Sequence, residues 1–201
     1  MDFEKILATR TSHIRASAIR ELLKLAANPG MISLGGGLPS PDSFPLDLIP
    51  KLTEVVLKKY GSCSLQYDRT EGFNPLRYAL IDYLKEKGIE AELDNVYITS
   101  GSQGFLDSIG KLLISPGDYV AVEGPTYLAA LQAFNAYEAK YVKIETDAEG
   151  LIPESLEEII KNYPIKFAYT VPTFQNPSGK TIGLKRRRQI AEIIKKYDIL
   201  L

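Results

Sequence analysis

Thr99-Ser100-Gly101-Ser102-Gln103-Gly104 decides how this chain is read. Val96-Tyr97-Ile98 precedes it, a short apolar run that predicts a buried strand. Phe105 to Leu113 follows it with the spacing of an amphipathic helix. A turn rich in glycine and hydroxyls at that junction leaves backbone N–H groups free at a helix N-terminus. Such a place binds anions, most often phosphate. The same residues also describe a plain strand-to-helix turn with Ser102 as the N-cap. On this stretch alone both readings stand.

Working outward from it, strands and helices alternate. Strands are expected near 96–99, 119–123, 140–144 and 166–171, with another opening at Ile199. Helices are expected near 102–114, 126–136, 154–162 and 184–197. The alternation predicts an α/β fold with a mostly parallel, doubly wound sheet. Upstream, residues 1–16 read as an arm. Ile19, Leu22, Leu23 and Ala26 share one helical face, which Asn28-Pro29-Gly30 ends. Met31 to Leu34 reads as a short strand entering Gly35-Gly36-Gly37, where a backbone or a ligand comes too close for a side chain. Two more helices are expected, one over 45–60 with Leu48, Leu52, Val55 and Val56 inward. The other opens at Asn74-Pro75, with Leu76, Leu80, Tyr83 and Leu84 as its apolar face. Lys185-Arg186-Arg187-Arg188 is read as a solvated helix face. Because Ile199-Leu200-Leu201 looks like the start of a buried strand, the chain is expected to be part of a longer protein and to fold poorly alone.

Composition narrows the function. Of 201 residues 45% are hydrophobic and 24% charged, the balance of a soluble globular protein. A net charge of −1 gives no basic excess for nucleic acid. No run approaches the roughly 20 apolar residues of a membrane span. Cys63 and His13 are the single members of their kinds, too few for a zinc site or a histidine-based triad. With one cysteine and a polar N-terminus, a cytoplasmic protein is expected.

Familiar nucleotide motifs fail. Residues 100–104 do not supply G-x-G-x-x-G. Gly179-Lys180-Thr181 ends like a P-loop, but Phe174 stands where its first glycine belongs and Pro177 interrupts it. What remains are polar loops after three expected strands, at the edge where open α/β sheets bind ligands. Ser100-Gly101-Ser102-Gln103 can hold a phosphate. Gly124-Pro125-Thr126-Tyr127 offers a ring that can stack. Gln175-Asn176-Pro177-Ser178-Gly179 offers a carboxamide for a ring substituent. Together they suit a flat phosphorylated heterocycle.

These loops, together with Ala18 to Leu25, Ser33 to Pro39, Leu65-Gln66-Tyr67 and Thr70-Glu71-Gly72, resemble the fold type I pyridoxal-phosphate-dependent aminotransferases of class I/II. The likeness is to the 2-aminoadipate, kynurenine and aromatic aminotransferase branch, and it covers nearly all of the chain. It implies an N-terminal arm and small-domain segment over 1–45 and an incomplete large domain, which binds pyridoxal 5'-phosphate, over 46–201. Ser102 and Gln103 would hold the cofactor phosphate, Tyr127 would lie on the pyridine ring, and Asn176 would bind the ring's phenolic oxygen. Tyr67 would reach the partner's cofactor across a homodimer. Gly37 would line the substrate pocket, and Arg20 would meet the substrate side chain or its distal carboxylate. No lysine here stands in the family's Schiff-base motif, so the catalytic base is not expected in this chain. The expected activity is transfer of an amino group from an amino acid (2-aminoadipate, glutamate or aromatic) to a 2-oxo acid such as 2-oxoglutarate. The alternatives are a non-catalytic cofactor-binding regulator module and a lyase on the same fold.

Overall fold

The computed structural model describes residues 3–14, 28, 30–32 and 39–201. The helix expected over 17–26 and the glycine segment at 33–38 fall outside the described residues, Arg20 and Gly37 with them. The chain divides into two compact units, Ala16–Thr99 and Met1–Arg15 with Ser100–Leu201.

In the first unit, α1 spans Ile49–Tyr60 and α2 spans Asn74–Glu86. Each carries a proline in its first two positions, where the missing N–H costs nothing. Leu48, Leu52, Val55 and Val56 are exposed rather than inward. Phe73 takes the N-cap position of α2, Asn74 is its first residue, and the one buried residue of α2 is a cation, Arg77. The Arg77 guanidinium donates to the Val96 carbonyl at 2.9 Å, the Leu93 carbonyl at 2.6 Å and Asn74 Oδ1 at 2.9 Å. The strand expected at 96–99 does not form. Val96 N–H closes a turn on the Leu93 carbonyl and Ile98 N–H donates to the Glu71 carbonyl, so the run spends its hydrogen bonds on loops.

The second unit carries the sheet. Its elements are α3 (Gly101–Leu113), β1 (Tyr119–Glu123), α4 (Leu128–Asn135), β2 (Lys140–Ile144), β3 (Thr146–Asp147), β4 (Gly150–Leu151), α5 (Pro153–Asn162), β5 (Ile165–Tyr169) and α6 (Leu184–Tyr197). β1 pairs in parallel with both β2 and β5, giving the order β2-β1-β5. Leu200 adds a parallel bridge to Phe167, where a new strand was expected to open. Strand residues alternate between two faces. Val120, Val122 and Phe167 pack with Leu106 of α3 and Ala130, Ala133 and Phe134 of α4. Ala121, Ile144 and Ala168 pack with Leu156 and Ile159 of α5 and Ile190 of α6. Helices thus cover both faces, which is the doubly wound arrangement. No helix among the described residues is long and apolar enough to cross a membrane.

The β3–β4 hairpin, not foreseen in the sequence, turns on Gly150. Its φ is +95°, and a Cβ there would lie 2.9 Å from Ile182. Arg186 of α6 grips this hairpin through a two-pronged pair with Asp147, at 2.6 and 3.0 Å, and a contact with Glu149 at 3.1 Å. That guanidinium, with the Glu149 N–H, lowers the Asp147 carboxyl to about 2. Hydrogen bonds from Lys196 and Tyr197 of α6 likewise lower Glu157 of α5 to about 2. Both carboxyls are depressed below their ordinary values, so both contribute stability at neutral pH that is lost as pH falls from about 4.5 toward 2. In an acid titration followed by circular dichroism, Asp147→Asn and Glu157→Gln are each expected to flatten the loss in that window. Asp147 is exposed and Glu157 only partly buried, so added salt should shrink the effect.

Candidate functional site

Three loops of the second unit leave the C-terminal ends of β1 and β5 and the N-terminus of α3. Ser100, not Ser102, occupies the N-cap position of α3. Gly101 follows with φ +74°, a left-handed turn that a glycine takes without strain. Ser102 and Gln103 therefore lie in the first turn, and both are exposed. That turn contains no acidic side chain and no side-chain cap. Its amides and the positive end of the helix dipole are arranged for an anion. Gln103 Nε2 donates to the Ala129 carbonyl at 3.2 Å, tying this turn to the start of α4.

The second loop, 124–127, leaves β1 and enters α4, with Tyr127 at the α4 N-cap. Tyr127 is partly buried against the Phe134 cluster. Burial raises the Tyr169 hydroxyl pKa, and the neighbouring Tyr127 and Glu123 add to the rise. Thr126 Oγ1 is buried and has no hydrogen-bond partner among the described residues.

The third loop, 170–183, leaves β5 and carries Asn176. It is held at several points. Arg187 donates to the Ile182 carbonyl at 2.7 Å, and to the Pro172 carbonyl and Thr173 Oγ1, both at 2.8 Å. Gln175 N–H donates to the Lys180 carbonyl at 2.8 Å, and Ile182 N–H to the Pro172 carbonyl at 2.9 Å. Phe174 sits at φ +48°, an uncommon place for an aromatic residue. The Asn176 side chain is exposed and makes no hydrogen bond to the described residues.

Two buried polar residues join the second and third loops; the sequence reading missed Glu123 and took Gln175 only as part of its loop. Glu123, the last residue of β1, accepts the Thr170 hydroxyl at 2.8 Å and the Val171 N–H at 3.0 Å. The Gln175 amide bridges Pro125 and Ser178. A carboxylate directly after Val120-Ala121-Val122 was the available signal, since a charge at the end of a buried strand needs partners. Arg187 was also misread, being an anchor rather than part of a solvated face.

Two hydrogen bonds, Gln103 to the Ala129 carbonyl and Gln175 to the Pro125 carbonyl, tie together the α3 turn that carries Ser102 and Gln103, the loop that carries Tyr127 and the loop that carries Asn176. Tyr67 belongs to the other unit, where its ring is 99% exposed. Arg20 and Gly37 lie outside the described residues.

Comparison with known proteins bears on the family and the fold. The sequence profile of the family Aminotransferase class I and II matches residues 31–201. Aromatic-amino-acid aminotransferase 1 of Thermococcus litoralis is 45% identical over all of this chain and half of its own length. The crystal structure of a kynurenine aminotransferase from Pyrococcus horikoshii, solved with PMP, superposes with a TM-score of 0.90 at 45% identity, covering 98% of this chain and 50% of that one. The α-aminoadipate aminotransferase LysN of Thermus thermophilus, complexed with N-(5'-phosphopyridoxyl)-L-leucine, superposes with a TM-score of 0.87 at 33% identity, covering 99% of this chain and 49% of that one. The chain spans about half the length of the curated relatives it matches. A sheet edge of this design, a profile match from residue 31 to residue 201, and relatives alike along the whole chain together make this chain a member of the class I and II aminotransferase family.

Proposed function

We propose that this chain is the cofactor-holding part of a pyridoxal-phosphate-dependent aminotransferase. The enzyme would move the amino group of 2-aminoadipate, glutamate or an aromatic amino acid to a 2-oxo acid such as 2-oxoglutarate. The observation that carries the reading is the hydrogen-bonded edge joining the α3 N-terminus, the Tyr127 loop and the Asn176 loop. The residues fit the group. The first turn of α3 has no acid to repel a phosphate. Thr126 Oγ1 is a buried hydroxyl in want of a partner. The Asn176 carboxamide is uncommitted.

In this reading the α3 amides, Ser102 and Gln103 bind the phosphate. Tyr127 stacks on the ring and excludes water from that face. Asn176 donates to the ring oxygen and orients it. When bound, pyridoxal phosphate supplies an electron sink for the charge left when the substrate Cα loses its proton. Arg20 would bind a distal carboxylate or side chain of the substrate, and Gly37 would leave room for it. Tyr67 would serve the partner's phosphate in a cytoplasmic homodimer, and its ring is free to do so. Residues 1–45 would act as arm and small-domain segment, and 46–201 as large-domain segment.

The test uses pyridoxamine 5'-phosphate, which binds without a covalent bond. Asn176→Ala in the intact protein is expected to weaken it about tenfold, the worth of one buried hydrogen bond of about 1.4 kcal/mol. Unchanged affinity would remove Asn176 from the site. Glutamate formed from 2-oxoglutarate and an amino donor marks a transferase, whereas released ammonia would mark a lyase.

A further inference from the structure

The loops that would contact the ring come from different strands, and one side chain spans them. Gln175 is 5% exposed. Its Nε2 donates to the Pro125 carbonyl at 2.8 Å and its Oε1 accepts the Ser178 N–H at 2.8 Å. The partners fix the orientation of the amide. Pro125 presents only a carbonyl and Ser178 presents a donor, so a flipped amide would set like against like at both ends. One end of Gln175 therefore holds the residue two before Tyr127. The other holds the residue two after Asn176. We propose that Gln175 is a positioning residue that fixes the distance between the Tyr127 ring and the Asn176 carboxamide, and so tunes the site for a planar heterocycle rather than for its phosphate. This assignment rests on the aminotransferase reading above.

The reasoning is geometric. The base of each loop is already tied, by Glu123 to Thr170 and Val171 and by Arg187 to Pro172 and Thr173. Those ties act at the strand ends. Asn176 lies five and six residues beyond Val171 and Thr170, where small changes at the base grow into larger displacements. Near Asn176, the Gln175 and Phe174 N–H groups bond Lys180 and Thr181 and close the loop on itself, whereas the Gln175 side chain is the tie that crosses to the Tyr127 loop. The Gln175 side chain bonds Pro125 and Ser178 and not the α3 N-terminus, which carries the phosphate donors. A ring clamped from two sides loses affinity when one side drifts, while a phosphate held by α3 does not.

The experiment uses two variants of the intact protein. Gln175→Met keeps the volume and removes both bonds. Gln175→Glu keeps the acceptor for Ser178 and removes the donor to Pro125. Pyridoxamine 5'-phosphate and inorganic phosphate are titrated against each by calorimetry, and exchange of the Ser178 amide is followed in parallel. Both variants are expected to bind pyridoxamine 5'-phosphate about tenfold more weakly while inorganic phosphate affinity stays as in the wild type. In Gln175→Met the Ser178 amide should exchange faster. Equal loss for both ligands would mean a general structural role and overturns the assignment. Wild-type affinity in Gln175→Met overturns it too, because the bond across to Pro125 would then be idle. A wild-type protein that binds inorganic phosphate but not pyridoxamine 5'-phosphate overturns the aminotransferase reading, and the ring-positioning role with it. Faster Ser178 exchange would still register the Ser178 bond by itself.

Discussion

Replacing Phe134 by alanine is expected to lower the opening free energy of the β1 amides by about 3–5 kcal/mol, the range for truncating a buried phenylalanine. Phe134 has no exposed surface. Its ring meets Phe167 edge-on at 5.3 Å and Tyr169 at 6.1 Å, so it packs α4 onto the sheet. The cavity left behind has little scope to collapse. Tyr137 of the loop after α4 donates to Asp107 of α3 at 3.0 Å. The Tyr141 hydroxyl of β2 lies 3.0 Å from the Leu131 carbonyl and 2.7 Å from Asn135 Oδ1, with one proton to share between them. These ties hold α4 in place from both sides, which sets the cost toward the upper end. Native-state hydrogen exchange at Val120, Ala121 and Val122 is the measurement, because it reads opening of this sheet whatever else the intact protein contains. Protection there should fall by about two to three and a half powers of ten. Phe134→Leu should recover much of the loss. A fall of less than about tenfold would mean that α4 is not held to the sheet through this ring.

Much of this was legible in the sequence, and the parts that were not share a cause. Strand–helix alternation after residue 96 foresees the doubly wound sheet, because each element there has its own local pattern. α6 matches its expected span, and α3 begins within a residue of its own. Val96-Tyr97-Ile98 misleads because an apolar run carries no information about whether a neighbouring strand is there to pair with it. Val96 is buried, yet Tyr97 is 61% exposed. The site residues that were foreseen, Ser102, Gln103, Tyr127 and Asn176, each sit in a local motif. The bonds that hold the loops to one another are not local, even where a residue that makes one, Gln175, stands in such a motif. Glu123 meets partners 47 and 48 positions away, and Gln175 meets Pro125 across 50. Such pairings exist only once β1 and β5 lie side by side. The arginine run shows the same thing. Beside four adjacent cations a solvated face is the natural expectation, but Arg186 and Arg187 point back to a hairpin and a loop that the fold brings under them.

The second large effect is expected at Arg77, where burial and charge oppose one another. α2 was expected to bury leucines, yet its one buried residue is a cation with no carboxylate among its partners. A buried charge is costly unless it is well solvated by fixed dipoles. Here three neutral oxygens do that work, two of them backbone carbonyls of the 93–96 turn. Arg77→Met would keep the bulk and remove the charge, but it would leave the Val96 and Leu93 carbonyls without their charged donor. Each such loss costs about 1–3 kcal/mol, so about 3 kcal/mol in total is expected. Arg77→Lys should recover only part of it, since one ammonium cannot reproduce a planar fork that addresses three acceptors at once. The readout is exchange of the Val96 and Ile98 amides and of the α2 amides, which should quicken by about a hundredfold in Arg77→Met and by less in Arg77→Lys. If both variants exchange like the wild type, water already satisfies those carbonyls and Arg77 is not the anchor of the turn. If lysine restores full protection, the charge alone matters and the fork geometry does not. The expected order, wild type above lysine above methionine, would mean that the segment leading into Thr99–Gly104 is held in place by a shape that only arginine has.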